Sequence, residues 1–194
     1  MISGYIDSDK KVKTVYLSLL RYDEEYSIST EQILFSTQTI EKQNNMDKII
    51  IETAVLNLST KDKAFEMFIT NKNLENWLTA KANVEAKTGG KYELFWEPDD
   101  PENNSTIGCK ILAIDSPNFL NFEWKGPKQF KHFMNDVRPL TNVTVIFTEQ
   151  GGRILVTLIH TGWRDTDEWE QARQYFINAW KGAFSQLEKY VNEQ

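Results

Sequence analysis

Residues 165–191 read DTDEWEQARQYFINAWKGAFSQLEKYV, and this stretch decides the fold. Its apolar side chains recur every three or four residues, the spacing that places them along one face of an α-helix. They are Trp169, Ala172, Phe176, Ala179, Trp180, Ala183, Phe184, Leu187 and Val191. Residues 165–167 offer side chains that can cap a helix start. The pattern predicts a long C-terminal helix with a broad aromatic stripe.

A β-hairpin pattern directly precedes this helix. Two runs of alternating apolar residues flank Gly151-Gly152, and paired glycines tolerate the positive φ that a tight two-residue turn requires. The alternating residues are Val143, Val145 and Phe147 before the turn, then Ile154, Val156, Leu158 and His160 after it. The sequence therefore predicts two long antiparallel strands.

Residues 48–124 carry further strand patterns and two short helical ones. A β-branched run over residues 49–56 predicts the first strand. Two short helices are predicted around Phe65 and Trp77, the first capped by Ser59 with Asp62 three residues later. Alternation predicts three more strands, built on Tyr92, Leu94 and Trp96, on Ile107, Cys109 and Ile111, and on Leu120, Phe122 and Trp124.

This order of elements predicts an α+β fold. A helix with so broad an aromatic stripe needs a concave apolar partner that covers it. We therefore expect one strongly curved antiparallel sheet of about six or seven strands, wrapped round the C-terminal helix, with two short helices after the first strand.

Residues 1–45 differ from the rest of the chain, because they contain no tryptophan and end in a polar stretch. We interpret them as an N-terminal extension, partly disordered or with one short helix built on Val12, Val15 and Leu19. Residues 46–194 are interpreted as one domain.

Composition limits the partners and the location. The chain has 194 residues, of which 40% are hydrophobic and 12% aromatic, so a sizeable core can form. Its net charge is −6 and its Lys and Arg residues are scattered, which argues against nucleic acid as a partner. No apolar run is long enough for membrane insertion. The single cysteine, Cys109, cannot form an internal disulfide, and with no secretion signal visible we expect a cytoplasmic location.

Several motifs, taken in order, resemble one known family. They are residues 73–78 (NLENWL), 89–94 (GGKYEL), 108–115 (GCKILAID), 117–124 (PNFLNFEW), 144–147 (TVIF) and 158–163 (LIHTGW). Over about residues 47–192 they are similar to the START-like helix-grip superfamily, also called SRPBCC or birch-pollen-allergen-like. Within it they resemble proteins like the activator of the 90 kDa heat-shock-protein ATPase.

The resemblance implies a helix-grip fold with a cavity between the sheet and the long helix. Members of the superfamily bind lipids, sterols, hormones or polyketides, some catalyse cyclisation or hydration, and the chaperone-activator branch binds another protein. The first 45 residues do not resemble the N-terminal chaperone-binding domain of eukaryotic activators. We expect a non-catalytic module that encloses a small hydrophobic molecule. Two alternatives stay open: a stress-response co-chaperone that stimulates a heat-shock ATPase, and a cyclase or hydratase.

Ten side chains are candidates for the lining of such a cavity. They are Trp77, Tyr92, Trp96, Phe122, Trp124, Phe147, His160, Trp163, Phe176 and Trp180. Large rings can equally fill a core, and for most of them that is the simpler interpretation. Trp77 and Trp163 suit the cavity mouth. His160 should face inward, where its imidazole needs a hydrogen-bond partner, so His160 or Trp124 is expected to orient the ligand.

No metal, cofactor or catalytic residue is predicted. Two histidines and Cys109 cannot make a closed zinc set, and the acids at residues 99–100, Asp165 and Asp167 suit turns and helix caps. The chain has no Gly-x-Ser-x-Gly elbow, and neither glycine pair opens a helix after a strand as a phosphate cradle would. General acid–base roles stay open for four residues. These are Glu93, Asp115, Glu123 and Arg138.

Overall fold

The computed structural model describes residues 48–193, which form an α+β fold of seven strands and four helices. The strands are β1 (Ile50–Leu56), β2 (Lys81–Val84), β3 (Tyr92–Phe95), β4 (Ile111–Asp115), β5 (Phe119–Trp124), β6 (Thr141–Gln150) and β7 (Arg153–Thr161). The helices are α1 (Lys61–Ile69), α2 (Asn71–Trp77), α3 (Lys131–Met134) and α4 (Asp167–Asn192). The predicted extension over residues 1–45 lies outside the described residues, so that division of the chain stays a prediction.

Five strands form one antiparallel sheet in the order β1-β7-β6-β5-β4, and β2 pairs with β3 in a second, smaller sheet. The predicted hairpin is β6–β7, in which Gln150 pairs with Arg153 across the turn. Both turn glycines have positive φ, 59° at Gly151 and 78° at Gly152, as a tight two-residue turn requires. The predicted fold class is confirmed.

Helix α4 is the predicted C-terminal helix. Its 26 residues span about 39 Å, and the Thr166 side chain caps it by accepting the Trp169 N–H. Its buried face consists of Trp169, Ala172, Phe176, Trp180, Phe184 and Leu187. None of the helices within residues 48–193 combines the length and the apolar character needed to cross a membrane.

Helix α4 also supplies polar partners to strand β1, which lies at one edge of the large sheet. The Val55 N–H donates to Glu188 Oε1 at 2.8 Å, and the Asn57 N–H donates to Asn192 Oδ1 at 2.8 Å. Asn192 Nδ2 in turn donates to the Val55 carbonyl at 3.1 Å. The helix therefore satisfies part of an edge that would otherwise expose unpaired backbone groups.

Aromatic rings fill the space between the middle of the sheet and α4. The ring centroid of Phe68 lies 5.1 Å from that of Trp77, 5.4 Å from that of Phe147 and 6.4 Å from that of Phe184, each in an edge-to-face arrangement. Such pairs add to the free energy gained by burial alone. Helices α1, α2 and α4 and strand β6 thus share one packed core.

The structure differs from the sequence prediction in several local features, among them the additional short helix α3. Thr60 caps α1, not Ser59, because the Thr60 side chain accepts the Lys63 N–H. Strand β4 begins at Ile111, not at Ile107, because Gly108 has a φ of 81° and turns the chain. Strand β2 is additional. Its backbone is held by side chains at the start and middle of α2, and its four residues carry no clear alternation.

The contact between α4 and the edge of β1 predicts the effect of Glu188 variants. Glu188→Ala removes the acceptor of the Val55 N–H and should lower the free energy of unfolding by about 1 kcal/mol. Glu188→Gln keeps an acceptor oxygen and should lower the free energy of unfolding clearly less. Urea unfolding followed by circular dichroism measures both. Equal losses for the two variants would show that this hydrogen bond does not stabilise the fold.

Candidate functional site

A partly enclosed cavity of about 580 Å³ lies beside α4, and we call it the α4 cavity. One wall is a face of the helix, and the other is formed by the end of α2, the segments around β3 and the end of β5. The helix wall contains Tyr175, Phe176, Asn178, Ala179, Trp180, Gly182, Ala183 and Gln186. The opposite wall contains Trp77, Leu78, Trp96, Asn104, Ser105, Trp124, Lys125, Pro127 and Gln129.

The α4 cavity lies at one flank of the fold and not beneath the middle of the sheet. Strands β6 and β7 contribute no lining residue, because their inward side chains are buried in the packed core. Solvent reaches the cavity past Trp96, which is 37% exposed, and Tyr175, which is 42% exposed. A route from solvent is therefore present.

The ten candidates from the sequence fall into two groups. Five line the α4 cavity: Trp77, Trp96, Trp124, Phe176 and Trp180. The other five are buried in the core behind it: Tyr92, Phe122, Phe147, His160 and Trp163. That any of them contacts a ligand stays a prediction.

The core group is held by contacts within the protein. Tyr92 stacks on Phe122 with ring centroids 3.8 Å apart, and its hydroxyl donates to the Phe68 carbonyl at 3.0 Å. Burial raises the pKa of Tyr92, so the phenol stays neutral. Trp163 donates its indole N–H to the His160 carbonyl at 3.1 Å. These groups support the cavity wall from behind.

Three of the four tryptophans that line the cavity have their indole N–H bonded within the protein. Trp77 donates to the Met67 carbonyl at 2.9 Å and Trp96 to the Leu78 carbonyl at 2.8 Å. Trp180 donates to Nδ1 of His160 at 3.1 Å. The fourth, Trp124, is buried, and its Nε1 has no hydrogen-bond partner among residues 48–193.

His160 lies directly behind this aromatic wall and is fully buried. Its ring centroid is 4.5 Å from that of Trp163, 5.4 Å from that of Phe176 and 6.4 Å from that of Trp124. Burial among these rings lowers its pKa to about 3, so the imidazole is neutral near pH 7. Because Nδ1 accepts from Trp180, the proton of the neutral ring belongs on Nε2. Within the described chain, Nε2 also has no partner.

Polar side chains also line the cavity. Lys125 is the single charged residue among those that line the cavity in the described part of the chain, although the whole chain has a net charge of −6. Its ammonium group already donates to the Ile107 carbonyl. Asn104 donates to a carboxylate oxygen of Glu97 at 2.7 Å. The site therefore combines aromatic walls with a small number of polar groups, the composition typical of small-molecule pockets.

The sequence pointed to the rings but not to the small and polar lining residues. Ala179 and Ala183 belong to the predicted apolar stripe of α4. From the sequence, small side chains in such a stripe indicate that a neighbouring element packs closely against the helix, and not that a cavity lies there. Gly182 and Lys125 carry no periodic signal at all. Only the position of the helix against the opposite wall identifies them as cavity residues.

The residues considered for other chemistry lie outside the cavity. Cys109 is buried, and burial raises the pKa of its thiol to about 12. Nε2 of His132 lies 3.8 Å from Oε1 of Glu168, and both side chains are exposed at the surface. No cluster of His, Cys, Asp or Glu that could hold a metal is present in residues 48–193.

The four residues considered for acid–base roles make local structural hydrogen bonds. Glu93 and Glu123 each accept a backbone N–H, and Asp115 accepts from the side chain of Asn118. Arg138 donates to the carbonyls of residues 135 and 137. None of the four lines the α4 cavity.

Comparison with protein families gives one match. Residues 59–192 match the family model described as activator of Hsp90 ATPase homolog 1-like protein. No curated protein matches the chain.

Solved structures with the same fold come from distant organisms. A protein from Mesorhizobium loti is 17% identical, with a TM-score of 0.61 over 76% of this chain and 98% of its own. An HSP90 activator from Plasmodium falciparum is 17% identical, with a TM-score of 0.56 over 75% of this chain and 96% of its own. The Aha1 dimer from Colwellia psychrerythraea is 11% identical, with a TM-score of 0.55 over 74% of this chain and 96% of its own. At these identities the likeness shows the fold.

The buried imidazole predicts a specific dependence of stability on pH. The pKa of His160 is about 3 in the folded chain against an ordinary 6.5, so between these values the unfolded chain binds a proton that the folded chain does not. Stability should therefore fall as the pH falls through this window. The loss from this one group between pH 7 and pH 5 should be about 2 kcal/mol.

Urea unfolding at several pH values tests this prediction. His160→Asn keeps an acceptor for the Trp180 N–H but removes the titrating ring. The free energy of unfolding of this variant should therefore depend less steeply on pH below pH 6.5. His132→Asn is the matched control, because the His132 side chain is 67% exposed and the variant leaves the buried His160 ring in place, so the dependence on pH that His160 causes should persist. A wild-type slope in His160→Asn would mean that His160 is not a buried neutral imidazole.

Proposed function

This chain belongs to the family of activator of Hsp90 ATPase homolog 1-like proteins, and from that premise we propose that it is a non-catalytic module that binds a small hydrophobic molecule in the α4 cavity. Membership and the helix-grip fold support a ligand-binding module of the SRPBCC kind. The proposal assigns the ligand class and the place where it binds.

The observation that carries the proposal is an open space walled by four tryptophans. Its volume of about 580 Å³ lies within the range of about 300 to 1,000 Å³ that is usual for small-molecule sites. Indole rings offer large apolar surfaces, and here three of them are fixed by hydrogen bonds to the protein. Rings held in place in this way keep the space available to a ligand.

Gly182 supports the same interpretation. It lies inside α4 and lines the cavity, and a Cβ placed there would meet no atom within 4 Å. Glycine inside a helix costs about 1 kcal/mol relative to alanine, so the position sacrifices helix stability. Gly182 is solvent-exposed, so the missing side chain leaves the cavity wider at its open side.

The second candidate function is binding to a heat-shock ATPase, and the family match is the observation that favours it. In this alternative a surface of the domain contacts the chaperone, and the cavity need not be occupied. It does not exclude the first proposal, because one domain can bind both a small molecule and a protein. A cytoplasmic location suits both and stays a prediction.

A cyclase or hydratase would need a group that moves a proton inside the cavity. Within the described chain the lining residues include no Asp, Glu or His. Of the other acid–base types they include Tyr175, which lies at the exposed side, and Lys125, whose ammonium group donates to the Ile107 carbonyl. His160 lies behind the wall, where burial keeps its imidazole neutral and its Nδ1 is taken by Trp180. These observations favour binding without turnover.

Substitution of Gly182 tests the proposed site. In thermal denaturation, a hydrophobic ligand at about a hundred times its Kd should raise the Tm of the wild type by about 5–10 °C. Gly182→Phe adds a ring at the exposed side of the cavity, where it can cover the opening, and should abolish this shift, while the variant stays folded. Gly182→Ala, the matched control, should keep the shift. The screen should include fatty acids, sterols and flavonoids.

Two results would contradict the proposal. One is a Tm shift that Gly182→Phe leaves intact, because the ligand would then bind elsewhere. The other is the absence of any shift across the whole panel in the wild type.

Stimulation of ATP hydrolysis tests the second candidate function. The purified chain, added in excess to a purified 90 kDa heat-shock protein, should raise its rate of ATP hydrolysis severalfold if the chain is a co-chaperone. Because the cavity need not take part, Gly182→Phe should stimulate as well as the wild type. An unchanged rate, with no complex in sedimentation, would reject this candidate.

A further inference from the structure

The α4 cavity is elongated along the helix. Its helix wall runs from Tyr175 to Gln186, a distance of about 16 Å at 1.5 Å per residue. At the start of this wall, the ring centroid of Phe130, from the segment before α3, lies 5.5 Å from that of Tyr175. Near its end, the ring centroid of Trp77, from α2, lies 6.5 Å from that of Phe184. We call these two places the Tyr175 end and the Trp77 end, and a molecule that fills the cavity lies along α4 between them.

Neutral polar side chains gather at the Tyr175 end. Tyr175 and Asn178 are exposed residues of α4, and Gln129 is an exposed residue of the segment between β5 and α3. Asn104 reaches the same segment, because its Oδ1 accepts the Lys128 N–H at 3.1 Å. Phenol and amide groups can both donate and accept hydrogen bonds, and so can a hydroxyl group. This end therefore suits a hydroxyl group on a ligand.

The Trp77 end is largely apolar. Trp77, Leu78 and Ala183 line it. The indole N–H of Trp77 is bonded to a backbone carbonyl of α1, and the Leu78 carbonyl accepts the indole N–H of Trp96. Among the described residues that line this end, Gln186 has the single polar side chain apart from the indole. An apolar chain fits here, because it loses few hydrogen bonds to water and buries its surface against the rings.

Charges of both signs lie near the Tyr175 end. Glu97 accepts from Asn104 Nδ2 at 2.7 Å, and residues 97–102 contain four acids. Three lysines face them from the neighbouring segment, namely Lys125, Lys128 and Lys131. The loops are joined, since Lys131 Nζ donates to the Glu102 carbonyl at 2.6 Å. A charged head group of either sign would meet like charge as well as opposite charge, and would also lose hydration. A neutral head group avoids both costs.

We propose that the ligand of the α4 cavity is an elongated, uncharged amphiphile that lies along α4. Its apolar chain points towards Trp77, and its hydroxyl head group lies among the neutral side chains beside Tyr175. This inference rests on the proposed function, because it requires that the α4 cavity binds a small hydrophobic molecule. The aromatic walls supply the apolar contact, and the polar end determines which way round the ligand lies.

Primary alcohols of increasing length test where the chain lies. Calorimetric titration of the wild type should show that Kd falls about fourfold with each CH₂ added between hexanol and decanol, as expected for burial of one CH₂ group. Ala183→Leu fills the Trp77 end and should weaken decanol about tenfold while hexanol keeps its Kd within twofold. Ser185→Leu is the matched control, because Ser185 is an exposed residue of α4 that does not line the cavity, and both alcohols should bind it as they bind the wild type.

Nuclear Overhauser contacts in the wild type show the direction of the ligand and do not depend on any variant. In the complex with decanol, the terminal methyl protons should show contacts with the ring protons of Trp77. The protons of the carbon that carries the hydroxyl group should show contacts with the ring protons of Tyr175. The reverse assignment would overturn the proposed orientation.

Charged analogues with the same chain test the neutral head group. Decanoate is an anion and decylamine a cation near pH 7, and each should bind the wild type at least about tenfold more weakly than decanol, because each must bring a charge out of water. If either analogue binds as tightly as decanol, the inference of an uncharged ligand is overturned.

The outcomes separate this inference from the proposed function. If decanol binds but Ala183→Leu weakens hexanol and decanol alike, the inference is overturned, and the cavity remains a site for apolar molecules. If no alcohol binds, while another hydrophobic compound gives a Tm shift that Gly182→Phe abolishes, the inference again fails alone. If neither the alcohols nor any other compound binds the wild type, the proposed function fails together with the inference.

Discussion

The fold depends on burial of the aromatic face of α4. A 26-residue helix that carries Trp169, Phe176, Trp180 and Phe184 on one side cannot expose that side to water, and no single strand is wide enough to cover it. The large sheet, the two short helices after β1 and the small sheet therefore meet around it. Hydrogen bonds from the edge of β1 to Glu188 and Asn192 fix the far end of the helix against the sheet.

The aromatic rings do not fill the whole space between α4 and the elements around it, and the α4 cavity is the part that stays unfilled. Under the middle of the sheet, Phe68, Phe147 and Phe184 fill the space through edge-to-face contacts. At the flank, Gly182 and Ala183 present little side chain to the opposite wall. Hydrogen bonds from the indole N–H also hold Trp77, Trp96 and Trp180 in place, three of the four tryptophans there. The cavity is thus a consequence of small residues on the helix facing restrained rings.

Much of the fold, but less of the site, could be predicted from the sequence. The periodicity of α4 and the alternation around Gly151-Gly152 are local signals, and both were confirmed. Strand β2 had no such signal. Side chains of α2 accept its backbone N–H groups, and contacts of this kind leave no periodic pattern in the sequence of the strand. Among the candidate residues, alternation identified inward-facing rings but could not separate Trp124, in the cavity wall, from Phe147, in the packed core. That distinction depends on the distance between two walls, which only the tertiary arrangement determines.

A crystal structure of the chain equilibrated with fluorene tests the central claim most directly, because it locates an apolar molecule without assuming any polar contact. The claim predicts ring-shaped density between Gly182 of α4 and the indole of Trp124, with the tryptophans of the wall close to their present positions. Density at another place on the surface, or tryptophan rings that have closed the gap and left no room, would contradict it.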